Sequence, residues 1–128
     1  MNTLHHLALG TPDVERLACF YRDVLGLREL ARNLYPDGSL RSVWLELGGA
    51  ALMIEPTREA PRLVTGVAPG LFLLALSVAE GERSAFESRL EQAGCAIESR
   101  SEWTSYARDP DGNRLALSSY PLLPPGMG

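Results

Sequence analysis

Few side chains in this sequence carry the chemistry of a catalyst. His6, Glu46 and Glu55 supply an imidazole and two carboxylates, the groups that coordinate a divalent cation or exchange protons at neutral pH. Trp44 and Tyr106 offer aromatic faces for stacking on a planar ligand, and Arg108 offers a charged hydrogen bond. Each has a plainer reading beside the chemical one. Glu46 and Glu55 fit a solvated strand edge or an ion pair with a nearby Arg, His6 a hydrogen-bonding pocket residue, and Trp44 packing at a dimer or module interface. The two cysteines, Cys19 and Cys95, stand among apolar residues rather than in a close-spaced pair, which reads as two buried thiols.

The elements that position these groups come as a repeat. His6-Leu-Ala-Leu-Gly-Thr-Pro-Asp-Val-Glu-Arg aligns with Leu73-Leu-Ala-Leu-Ser-Val-Ala-Glu-Gly-Glu-Arg, so Leu-Ala-Leu, an acidic residue and Glu-Arg recur in register. Each copy reads as a strand, then a helix, then three short strands. In the first, Thr11 caps a helix with Pro12 at its first position, and Val14, Leu17, Ala18, Tyr21, Val24 and Leu25 keep helical spacing up to Gly26. Strands are expected over Leu27 to Leu34, Arg41 to Leu47 and Ala50 to Glu55, separated by Pro36-Asp37-Gly38 and Gly48-Gly49. In the second, Phe86, Leu90 and Ala93 mark the helix stripe and Gly94 its stop. Strands follow over Cys95 to Arg100, Trp103 to Arg108 and Asn113 to Ser119. The modules cover about residues 4–56 and 71–120, joined by a Pro/Gly linker over 57–70 and followed by a Pro-rich tail, 121–128.

Alternation then divides each strand into faces. With Gly48-Gly49 as the turn, Leu47 pairs with Ala50, Leu45 with Leu52 and Val43 with Ile54, an apolar face that must meet the helix. Trp44, Glu46, Ala51, Met53 and Glu55 fall on the other face. In the second copy Phe72, Leu74, Leu76, Val78, Leu115 and Leu117 face the core, and Leu73, Ala75, Ser77, Arg114, Ala116 and Ser118 the open side. By repeat symmetry with Leu73, His6 is open and His5 lies on the core side. The expected fold is α+β, two βαβββ modules whose curved mixed sheets surround a cleft, in a homodimer.

Composition narrows the partners. The net charge is -4, from 12 basic and 16 acidic residues, and every basic residue is Arg, so no lysine-rich tract exists to grip nucleic acid or an anionic membrane. No apolar run approaches the roughly 20 residues of a membrane span, and no leader pattern is visible, so a cytoplasmic location is expected.

His6-Leu-Ala-Leu-Gly-Thr-Pro-Asp13, Phe20-Tyr-Arg-Asp-Val-Leu-Gly26, Leu45-Glu-Leu-Gly48 and Asp109-Pro-Asp-Gly-Asn-Arg-Leu115 together resemble the vicinal oxygen chelate superfamily of glyoxalases, bleomycin resistance proteins and extradiol dioxygenases. The resemblance spans residues 4–120 and agrees with the βαβββ repeat. It implies a metal held by the first and fourth strands of each module, at positions that match His6, Met53 (Leu52 if the register slips by one), Leu73 and Ala116. Three of these are apolar, a poor set for a cation. The resulting expectation is a small-molecule binding protein without a metal or other cofactor. Its aromatic or amphipathic ligand would meet His6, Trp44, Glu46, Met53, Glu55, Leu73, Tyr106, Arg108 and Ala116. The alternative is a lyase, isomerase, dioxygenase or thiol transferase with one divalent metal ion relocated to His6 with Glu46 or Glu55. A third possibility is a dimerisation module whose cleft is filled by its own side chains.

Overall fold

Strand and helix signals at a repeat of 67 residues produce the same element order twice. The computed structural model describes residues 2–122. The first half holds β1 (His6–Thr11), α1 (Val14–Cys19), β2 (Glu29–Leu34), β3 (Leu40–Leu47) and β4 (Ala50–Pro56). The second holds β5 (Leu74–Ser77), α2 (Arg83–Gln92), β6 (Ser99–Arg100), β7 (Thr104–Arg108) and β8 (Arg114–Ser118). The halves form two compact units that divide between Leu63 and Val64, inside the Pro/Gly stretch. The end of the Pro-rich tail, 123–128, lies outside the described residues.

Each unit is one four-stranded mixed sheet, ordered β1-β4-β3-β2 or β5-β8-β7-β6. The first and last strands of each unit run parallel and the other pairs antiparallel. This is the expected α+β fold of two βαβββ modules. The ladders also remove the ambiguity of register. Ala8 stands opposite Met53 and its repeat partner Ala75 opposite Ala116, so Met53 and Ala116 are equivalent positions. Leu52 belongs to the helix-facing side and is wholly buried.

In the first unit the Gly48-Gly49 hairpin pairs Leu47 with Ala50, Leu45 with Leu52 and Val43 with Ile54. Val43, Leu45, Leu52 and Ile54 have no exposed surface, and α1 packs over β3 and β4 with Val14, Leu17 and Ala18 buried. Burying the four strand residues stabilises the unit by roughly 1.5–3 kcal/mol each. The helix starts later than Thr11-Pro12 suggests: Asp13 is the cap, its carboxylate accepting from the Arg16 N–H at 3.1 Å. Thr11 is buried, and its hydroxyl accepts from the Asp13 N–H at 3.1 Å. After Cys19 the helix widens into a π-helical turn, Phe20–Val24, which sends both Phe20 and Tyr21 into the core. Gly26, at φ 79°, then ends it, a left-handed position that a side chain would strain.

The second unit is held differently. α2 buries one residue fully, Leu90; Phe86 is half-buried, and Ala93, expected in the stripe, is exposed at the helix end. α2 packs on β7, and Ala107, Leu115 and Leu117 are buried on one face of the sheet. The rest of the attachment is polar. Glu87 on α2 accepts from Arg100 Nε and Nη2 at 3.0 and 2.8 Å and from the buried hydroxyl of Ser105. β6 keeps only two of the six residues expected. The thiol of Cys95 is buried and that of Cys19 half-buried. Among the described residues no helix is long and apolar enough to cross a membrane.

Candidate functional site

Residues opposite each other on a ladder point to the same side of a sheet, so the pairing fixes which groups share a face. In the first unit His6 pairs with Ala51, Ala51 with Glu46, Met53 with Trp44, and Gly10 with Glu55. His6, Trp44, Glu46, Met53 and Glu55 therefore occupy the side away from α1, as expected. The His6 and Trp44 rings are 5.0 Å apart at a tilt of 47°. His5 joins them. Expected on the core side, it instead precedes β1 and is exposed, its Nδ1 2.9 Å from Nδ1 of His6 and its ring edge-on to Trp44 at 6.5 Å. Strand alternation misplaces it because the strand has not yet begun at residue 5.

A hollow of about 440 Å³ opens beside this cluster, lined by His5, Arg28, Trp44, Glu46 and Ala51. Glu46 is engaged there: Arg28 Nε donates to its carboxylate at 2.7 Å. The ion-pair reading thus describes Glu46, through a partner 18 residues away that local sequence does not reveal. Glu55 is exposed and has no hydrogen-bond or ion-pair partner among the described residues. Met53 is half-buried between these groups and makes the face apolar.

In the second unit the open face is built from Ala75 opposite Ala116, Tyr106 opposite Ala116, and Thr104 opposite Ser118. A hollow of about 330 Å³ lies on it, with Leu73, Ala75 and Ala116 as an apolar floor and Tyr106, Thr104 and Ser118 as its polar fringe. Ala116 is fully buried, so its methyl group forms the floor without standing proud of it. Thr104 and Ser118 share a hydrogen bond of 2.8 Å between their hydroxyls. Arg108, expected to bond a ligand, is committed within the unit: Nε donates to Glu98 at 3.0 Å and Nη1 to the Gly112 carbonyl at 2.9 Å. The Asp109-Pro-Asp-Gly turn behind it closes on the Asp109 carboxylate, which accepts from the Asp111 and Asn113 N–H groups and from the Asn113 amide.

The sequence profile of the Glyoxalase/Bleomycin resistance protein/Dioxygenase superfamily matches residues 3–117. The chain belongs to this superfamily. A glutathione transferase, FosA, from Serratia marcescens is 31% identical over 121 residues, 91% of this chain and 80% of that protein. A glyoxalase family protein from Enterococcus faecalis, 26% identical, superposes with a TM-score of 0.69 over 91% of this chain and 96% of its own. The fosfomycin resistance protein FosX of Listeria monocytogenes, crystallised with manganese(II) and a dihydroxypropylphosphonic acid, shares the fold at 16% identity, with a TM-score of 0.77 over 95% of each chain.

A divalent metal at the positions implied for this superfamily requires imidazole and carboxylate donors. The residues there are His6, Met53, Leu73 and Ala116, one imidazole with a thioether and two hydrocarbons. Nor, among the described residues, are three His, Cys, Asp or Glu side chains grouped where they could hold an ion. The donor set does not fit the metal.

The perturbed acids serve as fasteners. Arg32 lowers the pKa of both Glu15 and Glu29, and Arg100 lowers that of Glu87, chiefly by hydrogen bonds to the ionised carboxylates. Burial raises the pKa of the Cys19 thiol above its ordinary value, which disfavours the nucleophilic thiolate.

Proposed function

We propose that this superfamily member is a small-molecule binding protein that works without a metal or other cofactor, holding an aromatic or amphipathic ligand against its open sheet faces. The observation that carries the reading is the replacement of metal donors by Met53, Leu73 and Ala116, the last two forming the floor of a hollow. Binding by sequestration needs apolar area, a stacking surface and a few hydrogen-bonding groups. Those are what Trp44 with His6, and Tyr106 with Thr104 and Ser118, supply. The same reading takes the protein to be a cytoplasmic homodimer with no nucleic-acid or membrane partner.

A second reading is favoured by one comparison: the Serratia relative is named as a glutathione transferase, an enzyme. On that reading a relocated ion uses His6 with Glu46, which shares its rung and would have to leave Arg28, or with Glu55, four residues further along the ladder. Metal content per chain separates the two, measured after purification without chelators and incubation with nickel, zinc and manganese. The binding reading predicts no stoichiometric metal in wild type or in His6→Ala. About one equivalent, lost in His6→Ala, would establish the second. Trp44→Ala should weaken capture of ring-bearing compounds at least several-fold while the fold remains, as judged by circular dichroism.

A further inference from the structure

The open face of the second unit carries a positive charge that the unit does not neutralise. Arg108 and Arg114 stand directly opposite each other on β7 and β8, an arrangement of like charges that destabilises a sheet. Glu98 answers Arg108. Arg114 has no hydrogen bond and no carboxylate partner among the described residues, although it is half-buried. Its guanidinium lies over the Phe72 ring, 5.9 Å from the centroid. An aromatic face attracts a cation but leaves the guanidinium N–H donors without acceptors. Tyr106, on the neighbouring rung of the same face, likewise has a hydroxyl with no partner among the described residues.

Tyr106 lines the hollow at one end, and Arg114 stands beyond that end, outside the lining itself. Arg114 is two residues along β8 from Ala116, about 7 Å at strand spacing and within reach of an extended arginine side chain. At the other end the hydroxyls of Thr104 and Ser118 satisfy each other. The hollow is thus apolar along its floor, self-satisfied at one end and rich in unanswered donors at the other. We infer that its ligand is an organic anion, with the apolar body over Leu73, Ala75 and Ala116 and the charged end bonded by Arg114 and Tyr106. The inference deepens the binding function proposed above and rests on it.

Two dyes with the same aromatic body test it: anilinonaphthalene sulfonate, which is anionic, and phenylnaphthylamine, which lacks the sulfonate. Fluorescence titration of the full chain should show the anionic dye binding about tenfold or more tighter, the contribution of a charge-assisted hydrogen bond. Arg114→Gln should remove that advantage and leave the neutral dye unchanged. Ser77→Trp, which fills the hollow from an exposed position, should block both. Equal affinity for the two dyes, or an Arg114→Gln variant that shifts neither or both, overturns the anion assignment while leaving the binding function standing. Binding of neither dye, or binding that Ser77→Trp does not affect, overturns the hollow as a binding site and the anion assignment with it.

Discussion

The two units share a strand order and a register, yet their helices adhere to the sheets by different physics. The first helix lays Val14, Leu17, Ala18, Phe20 and Tyr21 into the core, and its exposed side carries an ionic chain from Glu15 through Arg32 to Glu29. The second helix commits Leu90 alone to full burial and relies on Glu87 to reach Arg100 and Ser105. Backbone ladders and side-chain alternation therefore define the module, while the means of attaching its helix is interchangeable. The open faces differ in the same spirit. One offers imidazoles and an indole, the other a greasy floor with donors at one end.

The largest expected effect separates the two attachments by truncation. Tyr21→Ala should cost about 3–5 kcal/mol, and Leu90→Ala, with fewer apolar neighbours to abandon, about 2–3 kcal/mol, both read by urea denaturation. Equal losses would show that the second core is as apolar as the first. Next comes the charge that substitutes for apolar area. Glu87→Gln should cost about 1–3 kcal/mol at neutral pH, because a buried hydroxyl and a guanidinium are left with one neutral acceptor oxygen in place of two charged ones. Arg100 holds the Glu87 carboxyl below the ordinary 4.5, so this contribution is present above that value and fades as pH falls through the lower native one. The gap between wild type and Glu87→Gln should accordingly close as the pH falls well below the ordinary carboxylate range. A gap that persists in acid would mean that Glu87 acts through packing. The smallest effect belongs to the first unit's open face. Arg28 and Glu46 are both solvent-exposed, so Glu46→Gln should change stability by less than about 0.5 kcal/mol.

What sequence reveals about this molecule follows from how locally each feature is caused. The hairpin register is legible because Gly48-Gly49 fixes the turn and the two-residue period does the rest, from Leu47 to Val43. The repeat is legible because both copies keep Leu-Ala-Leu in the strand that pairs in parallel with the module's last. The π-helical turn is not, since Tyr21, Val24 and Leu25 satisfy ordinary helical spacing and only the packing of Phe20 requires the extra residue per turn. Asp13 displaces Thr11 as the cap because Thr11 is the last residue of β1 and turns its hydroxyl to the loop. Which residues share each open face is legible from the two-residue period, but their commitments are not. Arg28 and Glu98 answer Glu46 and Arg108 across 18 and 10 residues, distances over which composition says nothing of contact.

One feature of the ladders bears on how the protein comes into being. Every strand pairs within its own half, and the longest closure, His6 with Ala51, needs nothing beyond the first unit. A ribosome that has delivered residue 63 has supplied all the strands of the first sheet. At about 5–20 residues per second, several seconds pass before the second half follows, against microseconds for a hairpin to form. The first sheet can close while its sibling is still being translated, and nascent β-strands of the two modules, alike in order and register, need never compete for the same partner.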